Sequence, residues 1–395
     1  MCVFKVWNIV DNLLNDYVYG HHLWEPKLLA EELERRGIAC RFLGCNSISA
    51  DYFPGASVVP VFPLHHYENV STDREWGYLE NFVIHNLTYE RALKGVEAAL
   101  FADALTLFPN VSERHMLGAV RWLRRLDKSV TPRVAMILNS QDNWSVNNPR
   151  LKLYKEIWAG CPPALKENIR LCVRSDRTAA KYEQLLEVRT HVLPSPLAPT
   201  EREVRAARER VASQTREFNV AYVAGARAER GATLIPEIVK RCAPLGIRFL
   251  IQVTDAIDIG SEVQWLKALR DRPDVRLHEG TLSRDDYNDW IAQSLVLLPY
   301  EAERYQWRSS GVYLEAKCFG SPVIVPSGTW MAEEVSRLGN GLTFEEYSAA
   351  SIAKCVARAH AELPGLRARA AACAVEYRQQ QGVDRCVEAI ERLFG

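Results

Sequence analysis

The chain has 395 residues, which is more than one hydrophobic core usually supports, so its length predicts two domains. Hydrophobic residues make up 48% and charged residues 25% of the sequence, a composition typical of a soluble globular protein. The 49 Lys and Arg residues balance the 49 Asp and Glu residues, so no net charge attracts nucleic acid or an anionic membrane, and such a partner would need a local patch.

The cysteine pattern and the apolar runs favour a cytoplasmic protein. The ten cysteines are scattered without a Cys-x-x-Cys pair, which indicates reduced core cysteines and not a disulfide framework or a zinc site. Lys5 and Asp11 interrupt the first apolar run, which is therefore too short for a signal peptide. No run of about 18 apolar residues occurs that would span a membrane.

The first elements follow the order strand, loop, helix, strand, which opens a parallel α/β sheet. The strands are predicted at residues 3–10 and 38–43, and the helix between them at residues 24–36. Ligands of such sheets bind at the carboxyl ends of the strands. This rule places three residues of the first loop near a ligand: Gly20, His21 and His22. For the His pair, a surface cap of the helix is the alternative.

A basic helix follows a strand at residues 58–62 and a helical segment at residues 76–100 with a break near Leu87. The helix, predicted at residues 114–126, carries its charges on one face: Arg114, Arg121, Arg124 and Arg125, with Lys128 beyond. Such a run is usually a solvated face. The alternative is a landing site for an anionic lipid or a phosphorylated acceptor, which would mean peripheral membrane contact through residues 114–128.

A buried strand predicted at residues 132–138 delivers a cluster of polar side chains to the carboxyl end of the first sheet. They are Asn139, Ser140, Gln141, Asp142 and Asn143. Such clusters are the usual make-up of an α/β active site, although also of an ordinary loop.

The second half begins after a densely charged segment at residues 201–217, which is typical of a boundary helix or linker. The strand–helix pattern then restarts with a strand at residues 218–223. The loop after that strand carries Arg227 and Arg230. Two guanidinium groups on a strand-end loop are suited to neutralising a diphosphate, whereas surface arginines near a turn are the alternative.

Residues 305–326 indicate a nucleotide site. Ser309, Ser310 and Gly311 begin a predicted helix, where small residues leave backbone N–H groups open to an anion at the positive end of the helix dipole. Glu315 lies about one turn further, where a carboxylate accepts hydrogen bonds from both hydroxyls of a ribose. A phosphate site next to a ribose site indicates that the ligand is a nucleotide. The alternative is a Ser-capped helix with a solvent-facing Glu and no ligand.

Taken together, these segments resemble the GT-B glycosyltransferases, in particular the retaining nucleotide-sugar enzymes of group 1 or family 4. The first loop with Gly20 resembles the Gly-rich first loop of that family. Residues 222–231 resemble its strand–Gly–Arg…Lys–Gly signature, with Arg230 at the usual Lys position, and residues 275–280 match the strand that ends near the base. Residues 309–326 resemble its Glu-containing signature.

The chain departs from the family pattern at the sugar end. The family signature has two Glu residues with seven residues between them. Here Glu315 is the second, and Trp307 occupies the position of the first, close to where the family binds the donor sugar. Glu301 and Glu303 in the preceding loop are alternatives for that position. The family's first-domain His has three candidates: His21, His22 and His85.

The resemblance implies an α/β protein of two Rossmann-like domains that face each other across a cleft. The implied boundaries are residues 1–198 for the acceptor-side domain, 199–217 for the linker, 218–375 for the nucleotide-sugar domain and 376–395 for a last helix that packs back on the first domain. Its implied activity is sugar transfer, retaining in outcome, from a nucleotide-diphosphate donor to a glycan, lipid-linked or small-molecule acceptor.

The resemblance also assigns roles to the candidate residues. The diphosphate would be bound by Arg227, Arg230 and residues 309–311, and the ribose by Glu315. The donor sugar would lie near Gly20, His21 and Trp307. The catalytic candidates are His22, Asn139 and Asp142. No metal and no cofactor besides the donor substrate is expected. A sugar-nucleotide epimerase of the same architecture and a catalytically silent nucleotide-binding subunit are the alternatives to a transferase.

Overall fold

The computed structural model describes most of the chain as two compact units, each built around its own parallel sheet. Unit 1 comprises residues 1–197 and 383–395, and unit 2 comprises residues 198–382. The described residues are 4–16, 21–127, 129–139, 144–145, 147–212, 218–223, 225–253, 262–308 and 310–395.

Unit 1 contains a seven-stranded sheet in the order β3-β2-β1-β4-β5-β6-β7, with every neighbouring pair parallel. The strands are β1 (Val6–Val10), β2 (Ala39–Cys45), β3 (Ser57–Phe62), β4 (Leu105–Val111), β5 (Arg133–Leu138), β6 (Ile169–Val173) and β7 (His191–Val192). The helices are α1 (His21–Arg35), α2 (Gly77–Lys94), α3 (Glu113–Leu123), α4 (Pro149–Ala159), α5 (Pro163–Lys166) and α6 (Asp176–Leu186). The central strands are almost continuously buried, as parallel strands covered on both faces must be.

Unit 2 contains a six-stranded parallel sheet in the order β10-β9-β8-β11-β12-β13. The strands are β8 (Asn219–Tyr222), β9 (Arg248–Val253), β10 (Val275–Glu279), β11 (Ser294–Leu297), β12 (Val323–Pro326) and β13 (Gly341–Phe344). The helices are α7 (Glu201–Ala212), α8 (Ile235–Cys242), α9 (Glu262–Lys267), α10 (Arg284–Gln293), α11 (Ala302–Tyr305), α12 (Gly311–Phe319), α13 (Trp330–Leu338), α14 (Ala349–Ala361) and α15 (Leu363–Gln380).

The last helix, α16 (Val383–Arg392), belongs to unit 1 although it follows unit 2 in the chain. Its apolar face, with Cys386, Val387 and Ile390, is part of a core that includes Trp7. The Arg36 guanidinium donates to the Asp384 carbonyl at 3.1 Å. Unit 1 therefore closes its core with a segment from the other end of the chain.

One predicted segment has a different form in the structure. Helix α2 runs without interruption through Leu87, so the predicted break there is wrong. The reason is tertiary, because the Asn86 side chain bonds the Phe82 carbonyl within α2 and also the Gly118 N–H and Glu113 carbonyl of α3. The charged segment at residues 201–217 contains α7, whose Val204 and Ala207 are buried in the core of unit 2.

In each sheet the strand order reverses beside the first strand of the unit. In unit 1, β1 lies between β2 and β4, and in unit 2, β8 lies between β9 and β11. The carboxyl ends at such a reversal form a crevice, which is where open α/β sheets bind ligands. No described helix is long and apolar enough to cross a membrane.

The close contact between α2 and α3 yields a test of the packing in unit 1. A Cβ atom at Gly118 would lie 2.5 Å from the Asn86 carbonyl oxygen. We expect Gly118→Ala to lower the free energy of unfolding by about 1–3 kcal/mol, measured by urea denaturation, because the backbone contact cannot relax cheaply.

Gly365 is the matched control, since it also lies inside a helix and its added Cβ would meet only the flexible end of Arg369 at 3.3 Å. Helix propensity alone would make either Ala variant more stable by up to about 1 kcal/mol. Equal gains in both variants would contradict the packing argument.

Candidate functional site

The crevice of unit 2 begins with the loop that follows β8. A single 3₁₀ turn, Ala228–Arg230, is closed by Gly231 in the left-handed conformation (φ +78°). A Cβ atom at residue 231 would collide with the backbone oxygen of Pro299, so only glycine lets this loop approach the chain that leaves β11. The Glu301 N–H donates to the Glu229 carbonyl at 2.9 Å, which fixes the loop on that chain.

Arg230 is held by one edge of its guanidinium. Its Nε–H donates to the Tyr305 hydroxyl at 3.0 Å, and its two Nη groups have no hydrogen-bond partner among the residues that the structure describes. Arg227 is more exposed, and its ion pair with Glu229 is long, at 3.8 Å. Because a guanidinium presents its donors as a rigid fork, the free edge of Arg230 is suited to a phosphate.

Tyr222, at the end of β8, is fully buried, and its hydroxyl has no partner within the described chain. The hydroxyl lies within electrostatic range of Arg230. Burial raises the pKa of Tyr222 well above its ordinary value, so the phenol stays protonated. A buried hydroxyl without a partner is costly, and an anion held by Arg230 would be an acceptor for it.

Helix α12 begins at this same end of the sheet. Ser310 caps it by accepting the Tyr313 N–H at 3.3 Å. The first N–H groups, at Gly311 and Val312, have no intrahelical partner because they belong to the first turn. A Cβ atom at Gly311 would meet nothing within 4 Å, so space is open beside the helix start.

Glu315 is buried on α12, and both of its oxygens have partners from α10. Arg284 donates from Nη1 to Oε1 at 3.2 Å, and the Tyr287 hydroxyl donates to Oε2 at 2.5 Å. Arg284 also pairs with Glu203 at 3.1 Å. Burial raises the pKa of Glu315, whereas Arg284 and Tyr287 act in the opposite direction. Each carboxylate oxygen keeps a further lone pair with which it can accept a ligand hydroxyl.

The remaining candidates of unit 2 occupy the turn before α12. Trp307 is half-buried, and its Nε1–H donates to the Gln306 side chain at 3.0 Å. Glu301 pairs with Arg304 at 3.1 Å, and Glu303 is exposed on α11. Ser309 lies outside the described residues. The structure thus brings Arg230, Gly311 and Glu315 to the carboxyl end of one sheet.

In unit 1, a chain of hydrogen bonds joins the carboxyl ends of β1, β3, β4 and β5, and the sequence patterns did not identify it. The side chains of Asn139 and His66 are 3.5 Å apart, those of His66 and Asn12 3.3 Å, those of Asn12 and His115 3.3 Å, and those of His115 and Ser112 2.8 Å. The His66 and His115 rings also stack, with centroids 4.2 Å apart.

The backbone carbonyl of Leu64 determines which group donates and which accepts in each link of this hydrogen-bonded chain. The Asn12 Nδ2 group donates to the Leu64 carbonyl at 3.3 Å, so Asn12 Oδ1 faces His66 as an acceptor. His66 then donates from Nδ1, and His115 accepts at Nε2 from Asn12 and donates from Nδ1 to Ser112. Both imidazoles are neutral Nδ1–H tautomers.

Burial is the largest cause of the lowered pKa values of the two histidine rings. Burial, with His65 and His85 nearby, lowers the pKa of His66 to about 3. Burial and the neighbouring His66 lower the pKa of His115 well below its ordinary value. Burial also raises the pKa of Asp11 to about 7, and the side chain of Asn110 and the N–H of Leu13 donate to its two oxygens. The rings of His66 and His115 are therefore neutral near pH 7, whereas the Asp11 carboxyl titrates around that pH.

The predicted residues of unit 1 have mixed placements. Asn139 joins the hydrogen-bonded chain, and the Tyr182 hydroxyl donates to its backbone carbonyl at 2.7 Å. His22 is half-buried on α1 with its ring 6.1 Å from that of Tyr67, and His85 bonds the Glu68 carbonyl at 2.7 Å. Gly20, Asp142 and the side chain of His21 lie outside the described residues.

Sequence reasoning missed four members of the hydrogen-bonded chain: Asn12, His66, Ser112 and His115. The available signal was their position just after predicted strands, where polar residues of any type gather. Within the described part of the chain, no three His, Cys, Asp or Glu side chains are grouped so that they would hold a metal ion.

The whole chain is similar to solved GT-B glycosyltransferase structures. Sucrose-phosphate synthase from Thermosynechococcus elongatus matches with a TM-score of 0.65 at 14% identity, over 99% of this chain and 97% of that one. HepE from Anabaena, in complex with UDP-glucose, matches with a TM-score of 0.64 at 12% identity, over 98% and 99%. WaaG, a glycosyltransferase involved in lipopolysaccharide biosynthesis, matches with a TM-score of 0.60 at 14% identity, over 98% and 99%.

At these identities the likeness shows the fold, and it confirms the predicted α/β class with two Rossmann-like units of the GT-B type. No protein-family model matches the sequence, and no curated protein matches it.

The direction of the hydrogen-bonded chain predicts how its histidines titrate. We expect the ring signals of His66 and His115 to stay in the neutral Nδ1–H form between about pH 7.5 and pH 5 in nitrogen-15 NMR spectra, whereas an unperturbed imidazole titrates in that range. Spectra of His66→Gln and His115→Gln assign the two signals.

Asn12→Asp is the informative variant, because a carboxylate at residue 12 accepts hydrogen bonds and cannot donate to His115. Its negative charge favours a second proton on His115 Nε2, so the pKa of His115 should rise. Titration of either ring near its ordinary pKa in the unaltered protein would refute the assigned directions.

Proposed function

We propose that this protein is a glycosyltransferase that moves a sugar from a nucleoside-diphosphate donor to an acceptor. The observation that carries the proposal is the polar arrangement at the carboxyl end of the unit 2 sheet. Arg230 offers unused donors, the start of α12 at Gly311 is open, and Glu315 lies about one turn further along the helix. These groups match a diphosphate and a ribose in the order in which a nucleotide presents them.

Two further observations support a nucleotide sugar as the ligand. The buried hydroxyl of Tyr222, near Arg230, has no hydrogen-bond partner among the described residues, and a phosphate oxygen would supply one. HepE, which has a similar fold, was solved in complex with UDP and with UDP-glucose. A ligand of that chemistry in this chain would place its anionic centre where the helix dipole and the guanidinium act together.

In the proposed reaction, an acceptor hydroxyl oxygen forms a bond to the anomeric carbon of the sugar while the bond between that carbon and the diphosphate breaks. Negative charge develops on the departing phosphate oxygen, which takes up the proton that the acceptor hydroxyl loses. Arg230, the N–H groups of the first turn of α12 and the Tyr222 hydroxyl stabilise that charge. They are fixed before the reaction, so they need no reorganisation when the charge appears. Arg227, which is exposed, adds a second cation to the same loop. The protein's own groups balance the diphosphate, and the proposal invokes no cofactor.

Glu315 has the positioning role in this scheme. Arg284 and Tyr287 hold its carboxylate, and the remaining lone pairs accept the two ribose hydroxyls. A nucleotide fixed at both the ribose and the diphosphate has its sugar held in one place, which lowers the entropic cost of transfer. Trp307 lies just before α12, and its predicted role is to contact the donor sugar.

The identity of the acceptor and the stereochemical outcome of the transfer stay predictions. A glycan, a lipid-linked saccharide or a small molecule would be the acceptor, as in polysaccharide or glycoconjugate synthesis, and retention would be the stereochemical outcome. The polar side chains of unit 1, including Asn139 and His22, are the candidates for acceptor recognition. A cytoplasmic location with membrane contact through residues 114–128 is likewise a prediction.

The activity is tested by incubating the protein with a panel of nucleotide sugars, with and without saccharide acceptors, and measuring the nucleoside diphosphate that is released. Acceptor-dependent release supports a transferase. An isomerised free sugar nucleotide would mean an epimerase, and nucleotide binding without any turnover would mean a silent subunit.

Variants of the two anchoring residues test the site itself. We expect Arg230→Ala and Glu315→Ala each to weaken binding of uridine, adenosine or guanosine diphosphate, whichever binds, by about 1–3 kcal/mol in calorimetric titration. Each variant removes a partner of a charged or hydroxyl group of the ligand. Glu315→Gln, which keeps the size of the side chain, should weaken binding in the same direction.

Arg241→Ala is the control, because Arg241 lies on the surface of α8 and, among the described residues, pairs with Glu237 at 2.8 Å. Its removal should leave nucleotide affinity unchanged. Unchanged affinity in both Arg230→Ala and Glu315→Ala would remove the basis of the site assignment.

A further inference from the structure

Helix α2 of unit 1 presents an apolar stripe to solvent. Trp76, immediately before the helix, is 56% exposed, and the next members are Leu79 at 44%, Val83 at 49% and Leu87 at 38%. Their spacings of three, four and four positions place them on one face of the helix. Four large apolar side chains in one exposed row are unusual, because scattered single residues are the norm on a protein surface.

The opposite face fixes α2 firmly on unit 1, so the stripe has a defined direction. Asn81 and Asn86 are buried and hydrogen-bonded, and Tyr89 stacks on Phe62 with centroids 4.5 Å apart. The contact at Gly118 brings the backbones of α2 and α3 together. The helix cannot turn to bury its apolar row without breaking these contacts.

A cationic cluster lies at the carboxyl-terminal end of the stripe. The buried Glu90 carboxylate pairs with Lys94 at 2.9 Å, Arg121 at 2.8 Å and Arg125 at 3.3 Å. Three cations face one carboxylate, which leaves two positive charges in excess, and the exposed Arg91 adds another. The cluster would complement an anionic surface.

Acidic groups are found at the amino-terminal side of the same face. Asp73 and Glu75 are exposed before the helix, and Glu80, at the margin of the stripe, hydrogen-bonds Ser71. The charge along the face therefore changes from negative to positive, with the apolar row between the two ends. Contact with an anionic surface is expected at the end that carries Lys94 and Arg91.

The basic segment that begins at Arg114 takes part in this arrangement through Arg121 and Arg125. Glu90 neutralises part of the charge of Arg121 and Arg125, so the segment by itself is a weaker anionic landing site than its sequence indicates. The neighbouring helix α2 supplies the apolar surface that the segment lacks. The two helices together combine apolar and cationic groups, as helices that lie in a membrane interface do.

We propose that α2 docks unit 1 on an anionic lipid bilayer. Trp76, Leu79, Val83 and Leu87 enter the boundary between headgroups and acyl chains, and the Glu90-centred cationic cluster with Arg91 contacts the anionic headgroups. Apolar burial and electrostatic attraction act together, because neither a short apolar row nor a few charges alone holds a protein at a bilayer. The proposal uses no residue of the nucleotide site and does not depend on it.

Co-sedimentation of the full chain with vesicles tests the proposal. Vesicles of phosphatidylcholine with phosphatidylglycerol should bind the protein, and vesicles of phosphatidylcholine alone should bind it more weakly. Val83→Glu places a charge in the middle of the stripe and should reduce binding to the anionic vesicles at least about tenfold. Arg91→Glu should reduce binding to the anionic vesicles and leave the weaker binding to neutral vesicles unchanged.

Val375→Glu is the matched control, since Val375 is an exposed apolar residue on α15 of unit 2. It should bind vesicles like the unaltered protein, and all variants should keep their nucleotide affinity. Equal vesicle binding by Val83→Glu and the unaltered protein would overturn the proposal, as would an absence of binding to anionic vesicles. Self-association that is lost in Val83→Glu, measured by light scattering, would instead assign the stripe to a second copy of the chain.

Discussion

The close approach of Gly231 to Pro299 is the constraint on which the unit 2 site depends. A left-handed residue without a side chain lets the loop after β8 lie against the chain that leaves β11. The loop is then fixed by the hydrogen bond from the Glu301 N–H, and Arg230 meets Tyr305. Any Cβ at residue 231 would push this loop away from the sheet and move the guanidinium away from the start of α12.

The two units use the same sheet geometry for different chemistry. Both place polar side chains at the carboxyl ends of strands where the strand order reverses. In unit 2 these include a cation and a hydroxyl with no further hydrogen-bond partner among the described residues, beside an open helix start. In unit 1 they form a hydrogen-bonded chain in which the rings of His66 and His115 are neutral.

The sequence predicted the α/β fold because the fold depends on local patterns, in which apolar runs between turns define the strands. The same kind of local pattern, a small residue followed by Glu315 on one helix, led to the prediction of a nucleotide site in unit 2, which stays a prediction. The hydrogen-bonded chain of unit 1 escaped prediction because Asn12, His66 and His115 are far apart in sequence. Only the order of strands in the folded sheet brings them together. The false break at Leu87 has the same origin, since Asn86 finds its partners on α3.

Charge patterns were the least predictable feature, because their effect depends on partners elsewhere in the chain. The arginines between residues 114 and 125 suggested a basic face, yet Glu90 of α2 pairs with two of them, Arg121 and Arg125. Glu315 illustrates the reverse case, a carboxylate whose sequence position was informative but whose charge is set by distant groups. Burial raises its pKa, and Arg284, 31 positions away, acts against burial.

A ligand at Glu315 would shift this balance further. Ribose hydroxyls that donate to the carboxylate bond its charged form, and hydrogen bonds to the charged form lower a carboxyl pKa. Nucleotide binding and deprotonation of Glu315 would therefore favour each other, by thermodynamic linkage. Arg284 has two roles in this coupling, since it holds the carboxylate in position and opposes the rise in the pKa of Glu315 that burial causes. The same ion pair thus positions the carboxylate to which the proposal assigns the ribose.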